Sequence, residues 1–352
     1  MKTALLCAGG TGGHLFPAEA LAHELNGRGW TVELATDGRG QRFSDAFPAA
    51  RTHIVDAATI SGRNPVKIAA ALWSLTKGYV AARHIVRGKN AVVGFGGYPT
   101  LPPMLAALNV GVPTAIHEAN AVLGRANKLL ARRVDVVATG FDMENSVTVG
   151  NPVRPAVIEA ARTPYEPATD TFDLLVFGGS QGAQYFARVV PEAMALVEDR
   201  ARIRLTLQAR EEERDEARAA LAAIGVEAEV APFFADMAAR IARAHLVVSR
   251  AGASTCAELA AIGRPSLLVP FPHALDHDQS ANAAEMVRAG AAEIVEQRDL
   301  DAERFAAIIT RSMADPDGLA ERAAAAKAVG RPDAAARLAD LVENLQRGAP
   351  QI

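Results

Sequence analysis

One short stretch of the sequence combines a glycine-rich loop with a titratable side chain. Residues Gly9–His14 follow the apolar run Ala4–Ala8, which predicts a buried strand, and precede residues 16–25, which have helical spacing. Glycines allow backbone N–H groups to approach a ligand closely, and the start of a helix favours anionic groups. His14 stands where the loop becomes helix, and an imidazole can take up a proton near neutral pH. The stretch therefore predicts a site for an oxygen-rich ligand with a base beside it.

The second half of the chain repeats this pattern. Residues Leu174–Gly182 align without a gap with Leu5–Gly13, and only Gln181 replaces a glycine inside the loop. Two strand–loop–helix units predict two α/β domains with parallel sheets whose loops face one another across a cleft. The alternative interpretation is that both loops are ordinary tight turns.

Length and composition narrow the class of protein. The 352 residues are enough for about two domains, and half of them are hydrophobic with few aromatics, which is typical of α/β proteins. The net charge of −3 gives no reason to expect a nucleic-acid partner. Cys7 and Cys256 fall one in each half, so we expect free thiols in a reducing compartment. The first apolar run is too short for a signal peptide, and no stretch approaches the ~20 residues of a membrane span.

The predicted strands of both halves end in polar or glycine-rich segments, where parallel sheets bind ligands. In the first half we predict strands at residues 31–36, 91–95, 112–117 and 134–138. In the second half we predict strands at residues 203–208, 226–230, 246–249 and 266–269. Residues 162–171 are rich in Pro and Thr and predict a linker between the halves. From Asp301 onward the chain is Ala-rich and predicted to be helical.

A basic segment lies between these elements. Residues 57–117 contain no Asp or Glu but carry Arg63, Lys67, Lys77, Arg83, Arg87 and Lys89. Within the segment, residues 66–86 predict a helix that includes Trp73, Leu72 and Leu75. A basic helix with exposed apolar side chains is typical of the surface of an anionic bilayer. The alternative is a helix packed on the core with a solvated basic face.

Seven segments taken together resemble the MurG family, whose members transfer N-acetylglucosamine (GlcNAc) in peptidoglycan synthesis. They are Gly9–His14, Gly94–Pro99, His117–Asn120, Gly150–Arg154, Gly178–Ala183, Ser249–Glu258 and Asp276–Ala283. The resemblance covers nearly the whole chain and implies a GT-B fold, with two Rossmann-like domains facing each other across a cleft. It implies a first domain at residues 1–155, a second at 156–330 and, at 331–352, a last helix that returns to the first domain.

The resemblance also implies a reaction. The donor is UDP-GlcNAc, and the acceptor is undecaprenyl-diphospho-MurNAc-pentapeptide, whose 4-hydroxyl attacks C1 with inversion to give a β-1,4 link and UDP. Peripheral attachment to the cytoplasmic face of the inner membrane is implied, which favours the membrane interpretation of the basic helix. No cofactor and no metal are implied, although Asp276-His277-Asp278 and Asp299-Leu300-Asp301 formally match D-x-D.

By this resemblance, each part of the donor has an expected partner. Glu258 suits the two ribose hydroxyls, and the backbone near Phe234 suits the uracil edge. Ser180 suits the diphosphate at a helix N-terminus, with charge from Arg154 and Arg250. Gln279 and Asp278 are expected on the GlcNAc hydroxyls. The other expected donor contacts are Thr11, Gly12, Gly13, Asn120, Ser254 and Thr255. The plainer alternatives are a helix-capping acid, an apolar strand-end cluster and surface arginines.

The acceptor is expected on the first half. Its diphosphate is expected to lie against two glycine loops, at Gly9, Gly10, Gly94, Gly96, Gly97 and Tyr98. His14 is the candidate base for the 4-hydroxyl, and Glu118 is the rival candidate. Ala119 departs from the glutamine of the family pattern His-Glu-Gln-Asn, so any hydrogen bond from that side chain is missing here.

Two other functions remain open at this stage. A UDP-GlcNAc 2-epimerase shares this fold and donor but needs no lipid acceptor. A catalytically silent scaffold at the membrane is the non-enzymatic alternative, although the presence of His14, Glu258 and both glycine loops argues against it.

Overall fold

The chain folds as two compact units. The structure, a computed structural model, describes residues 1–40, 47–57, 65–178, 184–272 and 278–346. Unit 1 comprises Met1–Arg154 and Pro332–Ile352, and unit 2 comprises Pro155–Arg331. Unit 2 is therefore inserted, in sequence, between two parts of unit 1.

Unit 1 is built on a parallel sheet of seven strands in the order β3-β2-β1-β4-β5-β6-β7. The order reverses between β1 and β4, whose parallel pairing places Cys7 beside Gly94. Ligands of open α/β sheets bind at the carboxyl ends of strands at such a reversal. The strands are β1 (Thr3–Cys7), β2 (Thr31–Thr36), β3 (Arg51–Ile54), β4 (Ala91–Gly94), β5 (Thr114–Glu118), β6 (Val136–Thr139) and β7 (Val147–Thr148).

Helices cover both faces of this sheet, so its strands are apolar on both sides. Leu6 and Leu34 point into one core and Leu5 and Val92 into the other. The helices of unit 1 are α1 (Gly12–Gly27), α2 (Pro65–Ile85), α3 (Leu101–Val110), α4 (Arg125–Leu130) and, from the end of the chain, α13 (Ala334–Gln346).

Helix α13 packs against α1 in unit 1. Its Leu338 and Val342 are fully buried in the same core as Leu15 and Leu21 of α1. Arg28, just after α1, bonds Asp340 at 2.6 Å, and the carboxylate of Glu343 accepts from the indole N–H of Trp30 at 3.1 Å. Apolar burial and these polar contacts together fix the last helix to unit 1.

Unit 2 repeats the architecture with six parallel strands in the order β10-β9-β8-β11-β12-β13. The reversal lies between β8 and β11, where Phe177 pairs with Ser249. The strands are β8 (Phe172–Phe177), β9 (Ile203–Gln208), β10 (Glu227–Ala231), β11 (Leu246–Ser249), β12 (Ser266–Leu268) and β13 (Ala292–Ile294). The helices are α5 (Pro155–Ala160), α6 (Gln184–Leu196), α7 (Glu211–Ala223), α8 (Met237–Arg243), α9 (Ala253–Ile262), α10 (Asp278–Arg288), α11 (Ala302–Ala314) and α12 (Pro316–Val329).

The predicted linker is partly held by unit 2. The guanidinium of Arg264, which is 2% exposed, donates to the carbonyls of Thr163, Pro164 and Ala242. Lys327 donates to the carbonyls of Ala161 and Ala261 at 2.7 and 2.8 Å. Residues 161–164 are therefore bonded to the body of this unit.

Some sequence-based boundaries were wrong by a few residues. The strand predicted at 112–117 begins at Thr114, because Pro113 lacks the N–H that a ladder position needs. The strand predicted at 226–230 is shifted by one residue, to Glu227–Ala231. Cys7 and Cys256 are free cysteines, and the structure shows that both are buried. Across the described ranges, the helices are too short or too polar to cross a membrane.

Candidate active site

Two glycine loops of unit 1 meet at the reversal between β1 and β4. The N–H of Gly9 donates to the carbonyl of Gly96 at 3.0 Å, and Thr100 Oγ1 donates to the same carbonyl at 2.7 Å. Gly97 has a φ of +81°, and a Cβ there would lie 3.0 Å from the Cα of Gly9. The close approach of the two backbones therefore requires glycine at this position.

His14 lies on these loops, in the first turn of α1. A Cβ added at Gly9 would lie 3.1 Å from its Nδ1, and one added at Gly96 would lie 3.3 Å from its Nε2. Nδ1 is 3.1 Å from the hydroxyl of Thr11. Burial lowers the pKa of the imidazole, and the carboxylate of Glu118 opposes this effect. His14 is therefore held in its neutral form near pH 7, as a proton acceptor must be.

Glu118, the rival base, is occupied by hydrogen bonds. Its Oε1 accepts from the backbone and the side-chain N–H of Asn120 at 3.0 and 3.1 Å. Its Oε2 accepts from Gly124 N at 2.8 Å and from Asn127 Nδ2 at 2.9 Å. The residue is 4% exposed. This carboxylate shapes the loop after β5 and acts on His14 through its charge.

Two other glycines of the expected acceptor loops are packed so closely that a side chain would not fit. A Cβ on Gly10 would lie 2.3 Å from the carboxylate of Asp37, and one on Gly94 would lie 2.6 Å from Thr100. Gly13 differs, because nothing lies within 4 Å of the space a Cβ would take. Gly12 is buried as the first residue of α1, and Tyr98 begins a single 3₁₀ turn after Gly97.

Arg154 ends the first segment of unit 1, and its side chain packs on α1. Its guanidinium carbon is 4.1 Å from the centre of the Phe16 ring, a cation–π contact. Burial raises the pKa of Glu19 on the same helix, and the charge of Arg154 opposes that rise. The predicted diphosphate-binding arginine is thus positioned on the helix that carries His14.

In unit 2, Glu258, predicted to bind the ribose, shares one face of α9 with two other predicted donor contacts, Ser254 and Thr255. Glu258 follows Thr255 by three residues and Ser254 by four, so both hydroxyl residues lie next to it on the helix. Gly252 precedes the helix without a side-chain cap, and Ser254 Oγ has no hydrogen-bond partner among the described residues. Glu258 is buried, with 8% of its surface exposed.

Arg250, which was predicted to add charge at the diphosphate, is buried and hydrogen-bonded within the protein. Its guanidinium donates to the carbonyls of Val269 and Pro270 at 3.2 and 3.1 Å and to Gln297 Oε1 at 2.6 Å. Burial lowers its pKa to about 10. It lies over the rings of Tyr185, Phe186 and Phe271. Arg250 is a buried positive charge beside the end of β8 and β11.

The remaining residues predicted to contact the sugar-nucleotide donor lie in three segments of unit 2. Phe234 is buried under Arg240, whereas its neighbour Phe233 is 71% exposed. Gln279 Oε1 accepts from Phe271 N at 2.9 Å, and both Asp278 and Gln279 lie in the first turn of α10. Ser180 and most of the second glycine loop lie outside the described residues.

The two D-x-D matches are not part of any metal-ligand cluster among the described residues. Within the described ranges, no three His, Cys, Asp or Glu side chains are grouped as metal ligands. Asp301 caps α11, accepting from Arg304 N at 2.8 Å. In the other match, Asp276 and His277 lie outside the described residues.

Comparison with known proteins decides the family. Residues 4–139 match the glycosyltransferase family 28 N-terminal domain, and residues 173–338 match the C-terminal domain of the same family. A relative from Brucella canis, named UDP-N-acetylglucosamine--N-acetylmuramyl-(pentapeptide) pyrophosphoryl-undecaprenol N-acetylglucosamine transferase, is 57% identical, with 98% of this chain and 94% of the relative covered. The chain belongs to this family of glycosyltransferases.

Further matches agree with the family. A relative of the same name from Mesorhizobium japonicum is 58% identical over 96% of this chain and 94% of its own length. The crystal structure of Acinetobacter baumannii MurG superposes with a TM-score of 0.80 at 29% identity, covering 98% of this chain and all of that one. The predicted resemblance to the MurG family and the predicted GT-B fold are confirmed.

Two polar residues that bond predicted site residues were missed by sequence reasoning. Asn127 is 1% exposed and bonds both the His117 carbonyl and Glu118. Gln297 bonds Arg250 from a 3₁₀ turn far along the chain. Asn127 lies in the short helix α4 and Gln297 in a charged turn, so the neighbouring sequence of neither residue indicated a contact with the site. Only the tertiary pairing reveals them.

Proposed function

We propose that this chain is an inverting GlcNAc transferase that moves GlcNAc from UDP-GlcNAc to the 4-hydroxyl of MurNAc in undecaprenyl-diphospho-MurNAc-pentapeptide. The observation that carries the proposal is the full-length similarity to transferases named for these substrates. The neutral His14 on two closely packed glycine loops supports it chemically.

The proposed reaction is a single displacement. The 4-hydroxyl oxygen bonds to C1 of the donor sugar while the bond from C1 to the diphosphate oxygen breaks. The leaving UDP takes the electron pair of that bond, and the hydroxyl proton goes to the imidazole of His14. Attack opposite to the leaving group inverts C1 and gives the β-1,4 link. General base catalysis of this kind contributes typically 10²–10⁴-fold.

His14 can act as the base in only one tautomer. If Nδ1 carries the hydrogen and donates to Thr11 Oγ1, Nε2 has a free lone pair for the substrate proton. Glu118 then stabilises the imidazolium that forms, since its charge raises the pKa of His14. The four hydrogen bonds to its carboxylate support this electrostatic role over that of base.

Unit 2 is proposed to bind the nucleotide. Glu258 accepts hydrogen bonds from the ribose hydroxyls, and Ser254 and Thr255 lie on the same helix face. Ser180 is proposed on the diphosphate, with Arg250 adding positive potential from its buried position. Phe233 and the backbone at Phe234 are proposed at the uracil, and the Gln279 amide and Asp278 at the sugar.

In unit 1, Thr11, Gly12, Gly13, Asn120 and Arg154 are proposed donor contacts. Gly9, Gly10, Gly94, Gly96, Gly97 and Tyr98 form the proposed acceptor loops. Neither a metal nor a cofactor takes part in this proposal.

The decisive experiment is transfer of labelled GlcNAc from UDP-GlcNAc to a lipid-linked muramyl-pentapeptide, with and without a chelator. We expect transfer in both conditions and a β-1,4 product. A parallel incubation without acceptor tests for UDP-ManNAc or ManNAc, which an epimerase would form. Epimer formation without transfer would contradict the proposal, and failure to bind UDP-GlcNAc would favour the scaffold.

The nucleotide assignment has its own test. Glu258→Ala is expected to weaken UDP binding at least tenfold, because hydrogen bonds to a carboxylate contribute about 1.5–3 kcal/mol. Glu293→Ala on β13, an acid of the same unit that pairs with Arg311 and Arg322, is the control and should leave UDP affinity unchanged. Isothermal titration calorimetry measures both. Equal affinity of wild type and Glu258→Ala would remove the ribose assignment.

Attachment to an anionic membrane through α2 is also proposed. Trp73 is 69% exposed and Val80 56%, and the two are seven residues apart on one side of the helix. Arg83 adds charge in its last turn. Lys77 contributes less than its charge suggests, because its ammonium lies 3.5 Å from the carboxylate of Asp56.

Trp73 makes this attachment measurable. The chain has two tryptophans, and Trp30 is buried, so in a Trp30→Phe background the emission reports Trp73 alone. Vesicles containing phosphatidylglycerol are expected to shift that emission to the blue. Neutralising Lys67, Lys77 and Arg83 should reduce co-sedimentation, since each basic residue near such a surface contributes about 1 kcal/mol. Unchanged co-sedimentation and no blue shift would contradict attachment through α2.

A further inference from the structure

The guanidinium of Arg250 is buried, and the acceptors of its hydrogen bonds are neutral. Its Nη1 donates to the carbonyls of Val269 and Pro270, and its Nη2 donates to Gln297 Oε1 at 2.6 Å. It remains charged at pH 7, since burial lowers its pKa only to about 10, and no carboxylate of the described residues opposes that shift. Buried charges are normally paired with an opposite charge. This cation therefore indicates an anion that the described part of the chain does not supply.

The charge of Arg250 lies next to segments that are proposed to hold the donor. Its guanidinium carbon is 5.7 and 5.1 Å from the ring centres of Tyr185 and Phe186, in the first turn of α6, which follows the second glycine loop in sequence. It is also 5.5 Å from the ring centre of Phe271, whose N–H donates to Gln279 Oε1. Arg250 is therefore close both to the helix start proposed for the diphosphate and to the amide proposed for the sugar.

The 3₁₀ turn that carries Gln297 is fixed by contacts from two helices. The phenol of Tyr185 on α6 donates to the carbonyl of Leu300, the residue that ends the turn. The guanidinium of Arg304 on α11 donates to the carbonyl of Asp299 at 3.0 Å. These bonds hold the turn against both helices, so the Gln297 amide is presented to Arg250 from a fixed backbone.

We infer that Gln297 is a positioning residue whose neutral amide holds the Arg250 guanidinium without cancelling its charge. A carboxylate of the same shape would accept the same hydrogen bond, but it would form an ion pair whose two charges largely cancel at the diphosphate. A glutamine leaves the positive charge to act on the ligand. The inference rests on the proposed function, in which the diphosphate lies beside α6, and it adds the residue that keeps Arg250 both fixed and without an acid.

Gln297→Glu tests the inference, because it keeps the shape of the side chain and its hydrogen bond but neutralises Arg250. Calorimetric titration with UDP should show binding weakened about tenfold or more, whereas uridine, which lacks the diphosphate, should lose less than about threefold when it is measured by competition with UDP. The kcat for GlcNAc transfer should also fall, because the leaving diphosphate gains negative charge as its bond to C1 breaks. Equal losses for UDP and uridine would overturn the inference.

Arg298→Gln is the matched control for charge. It lowers the net charge by the same amount in the same turn, but the Arg298 side chain is 85% exposed and its Nε lies 3.6 Å from the carboxylate of Asp299. UDP affinity should stay within about threefold of wild type, because water and salt screen an exposed charge. If Arg298→Gln weakens UDP binding as much as Gln297→Glu does, only the net charge matters and the inference is wrong.

Gln297→Ala separates positioning of the charge from a merely structural role. It removes the hydrogen bond but leaves Arg250 charged, so it should weaken UDP binding less than Gln297→Glu does. If Gln297 only tied its turn to the body of the unit, the order would reverse, because glutamate keeps the bond that alanine loses. Circular dichroism in urea checks that both variants are folded, and the reversed order of UDP affinities would overturn the inference.

The UDP titrations also separate this inference from the proposed function. If wild type binds UDP but transfers no GlcNAc, the transferase proposal fails, and the order of the UDP affinities still decides the role of Gln297. If wild type transfers GlcNAc and Gln297→Glu binds UDP as tightly as wild type, the function stands and the inference is overturned. A wild type that binds no UDP would overturn both.

Discussion

His14 acquires its chemical character from three neighbouring features rather than from its own identity. The glycines at positions 9, 96 and 97 pack against the ring and lower its pKa by burial, Thr11 binds Nδ1, and the charge of Glu118 supports the protonated form. These effects oppose one another in part, so the imidazole is neutral near pH 7, as its proposed role as a base requires. A base with this balance suits a hydroxyl nucleophile.

The lowered pKa predicts a pH profile. Because the folded-state pKa of His14 lies below 6.5, the neutral, active form dominates above that pH and is lost as the pH falls through the lowered value. We expect kcat/KM to be flat from pH 7 to 8 and to fall on a limb centred below pH 6.5. His14→Ala should lose about 10²–10⁴-fold in kcat.

The pH experiment needs a control for the rest of the site. His53 on β3 bonds Glu33 at 2.7 Å, away from the glycine loops, and His53→Gln should leave the acidic limb in place. A limb that survives His14→Ala, or turnover within about threefold of wild type, would assign the base elsewhere.

At the scale of elements, the two glycine loops of unit 1 behave as a single structure. Gly9 and Gly96 are joined by a backbone hydrogen bond, and the positive φ of Gly97 brings the second loop within contact of the first. Gly13 has open space instead, in the first turn of α1. Packing therefore requires glycine at position 97, whereas at Gly13 we propose that the open space admits the ligand.

This contrast predicts opposite effects of the same substitution. Gly97→Ala should lower the free energy of unfolding by about 1–3 kcal/mol, because its φ of 81° and ψ of 155° fall in a region essentially confined to glycine. Gly13→Ala should leave it unchanged or raise it by up to about 1 kcal/mol, since alanine favours helix. Urea denaturation followed by tryptophan emission measures both. Equal destabilisation by the two variants would contradict this assignment of roles.

Glycine loops and alternating or apolar runs carried enough local signal to predict most strands and the repeated strand–loop–helix unit. Short edge strands did not: β3, β7 and β13 have two to four residues and depend on a neighbouring strand for their pairing. The site divided in the same way. The place of His14 at the end of a glycine loop was enough to predict it as a site residue. The hydrogen bonds of Arg250 could not be predicted, because their acceptors follow strands β12 and β13, which lie beside it only in the folded unit.

For the whole molecule, the return of α13 makes unit 1 discontinuous in sequence. Leu338 is fully buried against α1, far along the chain from the sheet it covers. Both tryptophans belong to unit 1, so their emission reports the unfolding of that unit. The stability of unit 1 therefore depends on residues beyond position 331.

Leu338→Ala should destabilise unit 1 by about 2–5 kcal/mol, the usual cost of removing a buried leucine side chain. The exposed Leu129 on α4 of unit 1 offers a matched control that the same signal reports, and Leu129→Ala should change stability by less than about 0.5 kcal/mol. The urea midpoint of the tryptophan signal measures both. An unchanged midpoint for Leu338→Ala would mean that α13 adds little to unit 1.

The order in which the ribosome makes these segments gives the return of α13 a further consequence. After the last strand of the first sheet leaves the exit tunnel, about 180 residues of the inserted unit must be translated before α13 appears. At ~5–20 residues per second, that delay is roughly 10–35 s. During this delay, the apolar surface of α1 that later contacts Leu338 and Val342 is exposed to solvent on the nascent chain. An exposed apolar surface of this kind is one to which a chaperone would bind.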